Sequence, residues 1–164
     1  DQIGNQNDAR VSQRSASAAA SIVQSGDRNI ASVSQSGRGR AEAEVRQTGD
    51  DNRARIEQWG AGDANATLTQ FGDGNRFSFN QGAQGGFSSV VARQIGDGNP
   101  IMLYQNGTDN RAQLSQNGDN NAMTAVQFGG GNRLIWTQDG NNNANLGIQQ
   151  LGASNLVITQ SGGG

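Results

Sequence analysis

Gln94-Ile-Gly96-Asp-Gly-Asn99-Pro-Ile101-Met-Leu103-Tyr-Gln105 runs directly into Gln105-Asn-Gly107-Thr-Asp-Asn110-Arg-Ala112-Gln-Leu114-Ser-Gln116, and the same spacing continues through Gln127 to Gln138. Each block of eleven residues closes on glutamine. The residue two before that glutamine is Leu103, Leu114, Ala125 or Trp136, and the residue four before it is Ile101, Ala112, Met123 or Leu134. Asparagine stands six before, at Asn99, Asn110, Asn121 and Asn132, and glycine two after each opening glutamine, at Gly96, Gly107, Gly118 and Gly129. The unit is therefore Gln-x-Gly-x-x-Asn-x-apolar-x-apolar-x-Gln. Self-similarity at so short a period predicts stacked repeats.

Outward from this stretch the frame holds along the whole chain, through Gln2, Gln13, Gln24, Gln35, Gln47, Gln58, Gln70, Gln81, Gln94, and then from Gln138 to Gln150 and Gln160. Fourteen units result, 10 to 13 residues long. Two before the glutamines stand Val11, Ile22, Val33, Val45, Ile56, Leu68, Phe79, Ile148 and Ile158, besides those already named and Ala92. Four before them stand mainly alanines in the first half (Ala9 and Ala20 to Ala66), then Phe77, Val90, Leu146 and Leu156. A spacing of two places asparagine, the apolar pair and glutamine on one face of an extended strand. Each unit reads as a strand of seven residues and a short link.

The links carry Gly26, Gly37, Gly49, Gly60, Gly72, Gly140 and Gly152 in addition to the four glycines above. Glycine reaches the positive φ of a tight bend, and the neighbouring aspartates favour turns through local hydrogen bonds. Extra residues are expected in the links alone, because one residue added to a strand would reverse its facing. The framing of Gln138 to Gln160 admits either Gln149 or Gln150 as a closing residue.

A second period overlies the first. The first inward position alternates Asn7, Ala18, Asn29, Ala41, Asn52, Ala64, Asn75, Ser88, and the alternation fades after Asn99. Two strands and two bends thus make one coil. The expected fold is all-β: a parallel β-solenoid of about seven two-strand coils, two parallel sheets face to face, roughly 33 Å high. Residues 1–160 form this single domain, and 161–164 a glycine-rich tail. Inward Asn and Gln would each cost roughly 1–3 kcal/mol if buried unpaired. In register they can satisfy one another as amide ladders of the cross-β kind, which extends to stacking between subunits. The end strands, with Ala9, Val11 and Gln13 at one extremity and Leu156, Ile158 and Gln160 at the other, carry no capping segment and are expected to pair with further copies.

Composition narrows the function. Histidine and cysteine are absent, which removes the commonest general base and the usual metal ligands, and no cofactor is expected. A net charge of −2 supplies no field for nucleic acid. No apolar run is long enough to insert in a membrane, and with no leader-like segment the chain reads as a mature form. All twelve basic residues are arginine. Outward Glu42, Glu44 and Glu57 read as a solvated face, so an enzyme is not expected.

The unit Gln70-Phe-Gly72-Asp-Gly-Asn75-Arg-Phe77-Ser-Phe79-Asn-Gln81 resembles the curlin repeat of bacterial curli subunits, and the resemblance spans residues 2–160. It implies a secreted subunit, major-subunit-like, that polymerises with itself into an extracellular, cell-surface functional amyloid serving adhesion and biofilm matrix. It further implies a minor nucleator subunit and an outer-membrane secretion pore as partners. The competing reading is a monomeric β-solenoid that binds a ligand or surface through its outward face. A calcium-binding solenoid is suggested by Gly72-Asp73-Gly74-Asn75, but the nonapeptide spacing is missing.

Overall fold

In the computed structural model, which describes residues 1–15 and 17–162, the chain winds into a β-solenoid of about seven coils. One sheet stacks β1 (Gln2–Ile3), β3 (Ala18–Ser25), β5 (Ala41–Thr48), β7 (Asp63–Phe71), β9 (Phe87–Ile95), β11 (Arg111–Asn117), β13 (Arg133–Asp139) and β15 (Asn155–Ser161). The other stacks β2 (Asp8–Gln13), β4 (Ile30–Gly37), β6 (Arg53–Gly60), β8 (Arg76–Ala83), β10 (Pro100–Gly107), β12 (Met123–Phe128) and β14 (Ile148–Leu151). Every pairing is parallel, and each strand lies on the strand two before it. Eight strands at about 4.8 Å make a stack about 34 Å high.

The register is that of the glutamine frame: Gln24 lies on Gln47, Gln47 on Gln70, Gln70 on Gln94, and in the other sheet Gln35 on Gln58 and Gln58 on Gln81. Between the sheets, Ile22, Val33, Val45, Ile56, Leu68, Phe77, Phe79, Val90, Ile101, Leu103, Leu114, Met123, Leu134 and Trp136 form one buried apolar core. The alanine column of the first coils is bulkier later, with Phe77 and Phe79 in contact at 6.2 Å between ring centres. The two-sheet alternation continues unbroken to β15, although the residue at its second corner changes from alanine to serine or asparagine.

Three expectations are corrected. Val11, expected in the core, is 48% exposed, because β2 is the last strand of its sheet and no described residue covers that end. Leu146 is 51% exposed and lies outside any strand. Its displacement also corrects the rule that extra residues fall only in links. Gln127 pairs with Gln150, and Asn143 N–H donates to Asn121 Oδ1 at 3.0 Å, so both ends of that unit stay in the ladder. Seven residues then separate Asn143 from Gln150 where six are usual. The surplus residue is expelled as an irregular stretch, 144–147, with Gly147 at φ 60°, and the pairing resumes only at Ile148. Ladder hydrogen bonds at both ends outweigh the burial of one leucine. At the C-terminal end Ser161 closes β15 and Gly162 N–H donates to Asp139 O, while Gly163 and Gly164 of the tail lie outside the described residues.

Candidate assembly surface and its amide columns

Glutamine columns run up both sheets. In the eight-stranded sheet Gln2 Nε2 donates to Gln24 Oε1, Gln24 to Gln47, Gln47 to Gln70, Gln70 to Gln94, Gln94 to Gln116, Gln116 to Gln138 and Gln138 to Gln160, at 2.6–3.0 Å. In the other sheet Gln13 donates to Gln35, Gln35 to Gln58, Gln58 to Gln81, Gln105 to Gln127 and Gln127 to Gln150. One rung is missing. Gln81 Nε2 and Gln105 Oε1 lie in register but unbonded, the two unpaired buried side-chain polar atoms among the described residues. This break coincides with the change in the second corner, where the link after Gln81 is the longest in the chain and the following corner residue is Ser88.

Each buried glutamine except Gln81 also uses its amide across the coil, a role that periodicity does not disclose. Gln24 Nε2 donates to Asp8 O, Gln47 to Ile30 O and Gln70 to Arg53 O, while Gln35 reaches Ala19 O and Gln58 Glu42 O. One hydrogen therefore binds along the stack and the other ties the two sheets together.

At the first corner the expected amide-to-amide rung forms between Asn29 and Asn7 and between Asn143 and Asn121, but the asparagines there bond mainly to backbone. Oδ1 of Asn7, Asn29, Asn52, Asn75 and Asn99 accepts the backbone N–H of the asparagine in the next coil. Their Nδ2 groups donate to the glycine carbonyls of the next bend, Gly26, Gly49, Gly72, Gly96 and Gly118, at 2.7–2.8 Å. Asparagine is one methylene shorter than glutamine and sits at the corner, where turn backbone is the nearest partner. At the second corner Asn110 N–H bonds Ser88 Oγ, and Asn132 Nδ2 reaches Asn110 Oδ1 at 2.9 Å.

All eleven link glycines, from Gly26 to Gly152, have positive φ. At Gly26, Gly49, Gly72, Gly96 and Gly118 a Cβ would also run into the glycine carbonyl of the next coil, so close stacking adds to the dihedral requirement. A second left-handed position follows two residues later and is not reserved for glycine: Arg28, Asp51, Asp109, Asn120 and Asn142 occupy it with φ near 57°. Between the two sits an aspartate column. Asp27 Oδ1 accepts Asn5 N–H, Asp50 that of Asp27, Asp73 that of Asp50, Asp97 that of Asp73 and Asp119 that of Asp97, at 2.7–2.8 Å. These carboxylates are turn acceptors, and among the described residues no cluster of potential ligands suits a metal ion. Arg28 grips Asp51 of the next coil with two hydrogen bonds, 2.9 and 2.7 Å, which hold the Asp51 carboxyl below the usual range and raise Arg28.

Among the described residues no strand lies beyond either extremity of the stack, and the two extremities differ chemically. Ala9, Val11 and Gln13 are exposed at the N-terminal end, where Gln2 and Gln13 Oε1 receive no donor among the described residues. At the other end Leu156, Ile158 and Gln160 are half-buried, and Gln160 Nε2 spends one hydrogen on Ala144 O and has no partner for the second. Both columns begin on an acceptor; the Gln2–Gln160 column ends on a donor, whereas Gln150 Nε2, at the end of the other, already donates to Arg133 O and Ser154 O, both at 3.0 Å.

Residues 40–72 and 96–129 match the curlin associated repeat, each stretch spanning about one and a half coils of this stack. No match was found among curated proteins or among solved structures.

Proposed function

Because the chain belongs to the curlin-repeat family, we propose that it is a non-catalytic structural subunit that adds end to end into an extracellular fibre. The observation that carries the reading is the pair of complementary extremities. An uncovered strand presents unpaired N–H and C=O groups, and here it also presents a buried-type amide column and an apolar stripe with nothing above them. Placing Gln2 of one copy over Gln160 of another continues that column with the polarity it already has, donor to acceptor, and lays Gln13 over Gln150 in register. The joint is head-to-tail, so it does not close on itself and generates a filament. Residues 1–160 act as one stacking unit. Adhesion and biofilm matrix are the roles proposed for such a fibre on the cell surface, with secretion through an outer-membrane pore and a nucleator subunit as partners, as the family resemblance implies.

Incubation of the purified chain tests this. Filaments that elongate from seeds, with axial diffraction at about 4.7–4.8 Å, are expected. A dispersed single particle at high concentration refutes the proposal and favours the monomeric, ligand-binding solenoid.

A further inference from the structure

The outward face of the seven-stranded sheet carries a groove and a ridge side by side. The groove, about 650 Å³, runs parallel to the stack from Ile30 past Arg53, Arg76, Pro100 and Met102 to Ala122, along the side where its strands begin. Another cleft, on the other sheet, is about 310 Å³ and lies beside Glu42 and Glu44. The ridge stands where the same strands end. Tyr104 and Phe128 stack at 5.4 Å between ring centres, and Trp59 lies over Gly82, where a Cβ would come within 2.6 Å of its ring. Trp59 Nε1 donates to Asn80 Oδ1 at 2.9 Å, which holds the indole in place. Met102, Trp59 and Phe128 are 58%, 39% and 38% exposed.

From this arrangement we infer that the face is a lateral interface between two copies of this chain, related by a two-fold axis parallel to the stack and passing between Arg55 and Glu57, Ser78 and Asn80, Met102 and Tyr104, and Thr124 and Val126. An isologous contact needs knob and hole on one surface, exchanged by the rotation. This axis exchanges the beginning of each strand with its end at the same height. It therefore seats the partner's ridge in the groove rung by rung. Trp59 meets Arg53 and Glu57 meets Arg55, giving a cation over an indole and an opposite-charge pair. Tyr104 meets Met102, Val126 meets Thr124 and Phe128 meets Ala122. Arg55 also bonds Glu57 of its own chain at 2.6 Å, so the two copies bring two such opposite-charge pairs together about the axis.

Charge argues against packing this face on the other sheet of a copy in the same orientation. Strands of the two sheets run in opposite directions, since short links reverse the chain between them. Glu42-x-Glu44-x-Arg46 on β5 would then face Arg53-x-Arg55-x-Glu57 on β6 end for end, with Glu42 on Glu57 and Arg46 on Arg53. The two-fold avoids both clashes. Seven strands at about 4.8 Å by six residues at about 3.3 Å give about 600 Å² per copy, about 1,200 Å² in all, which is the lower edge for a stable pair. Repetition along a filament raises the effective strength further.

The inference rests on filament formation, and the test separates the two. The chain has no cysteine, so Ser78→Cys places a single thiol beside the two-fold, and copies stacked end to end hold their residues 78 about 34 Å or more apart. Filaments of Ser78→Cys treated with a short bismaleimide are expected to yield a covalent dimer. Filaments of Gln113→Cys, the matching central position on the other sheet, are not. Adding Met102→Glu to Ser78→Cys is expected to abolish the dimer while filaments persist. Filaments that give no Ser78→Cys dimer, an equal dimer from Gln113→Cys, or a dimer indifferent to Met102→Glu each overturn the lateral pairing and leave the fibre reading standing. If filaments never form, the fibre reading fails, and the same crosslink on the dispersed chain decides the pairing: a dimer supports it and a monomer overturns it.

Discussion

Replacing Gln47 by leucine should cost far more stability than the same change at Gln81, although both side chains are fully buried and lie one or two coils apart. Gln47 accepts from Gln24 at 2.8 Å, donates to Gln70 at 2.7 Å and ties to Ile30 O at 3.2 Å. Its loss leaves one Gln24 hydrogen and the Gln70 oxygen buried and unpaired. At about 1–3 kcal/mol for each orphaned group, the two come to about 2–6 kcal/mol. Gln81 receives one bond, from Gln58 at 3.2 Å, and its own Nε2 is already unpaired, as is Gln105 Oε1 above it. Removing it creates one orphan and abolishes another, a net of about zero. The gain from burying leucine is the same at both sites and cancels in the comparison. Urea unfolding of the dispersed chain reads the difference directly as a shift in midpoint at constant slope. A separation of about 2 kcal/mol or more is expected, which is a large part of the stability of a domain of this size. Midpoints displaced equally by the two variants would show that the columns are not the source of the stack's cohesion.

Three other outcomes follow from the bends. Asp50, Asp73 and Asp97 changed together to asparagine keep an Oδ1 acceptor for the preceding N–H but lose a stacked row of like charges worth about 0.8 kcal/mol per neighbouring pair in water; the lag of assembly, followed by light scattering, should shorten, and an unchanged lag removes the idea that the row restrains association. Gly96→Ala meets the Gly118 carbonyl as well as an unfavourable φ of 100°, whereas Gly74→Ala at φ 66° meets open space, so thermal melting should place the first well below the second. Asp51 is held low by its hydrogen bonds to Arg28, so its contribution is present above the ordinary carboxyl value, about 4, and is lost as pH falls through the depressed value. Arg28→Gln should move the Asp51 titration, read by NMR of its carboxyl carbon, back up toward that ordinary value; an unmoved titration would show that the bidentate contact is not formed in solution.

Position along the chain was enough to assign most of the coil. Gln24, Gln47 and Gln70 recur with Ile22, Val45 and Leu68 two residues before them, and a period of two allows them one common face, so strand, facing and parallel register follow from spacing alone. The glycines were legible for the same reason: Gly26, Gly49 and Gly72 stand where the apolar period stops and a bend must begin. What spacing could not convey is where a third dimension supplies partners. Asn52 looks like Gln58 in a one-dimensional pattern, yet the corner places a glycine carbonyl within reach of its shorter amide and gives it a backbone partner. Leu146 matches its column by count, but the competition between one leucine and the hydrogen bonds of Asn143 and Gln150 is settled only when both ladders are built. The unpaired Gln81–Gln105 rung and the groove beside Trp59, Tyr104 and Phe128 likewise arise from contacts between residues some twenty or more positions apart, whose distances depend on how each link closes its coil. A repeat dictates the conformation it can hold locally; only the stacked molecule decides which polar groups and which surfaces remain unspent.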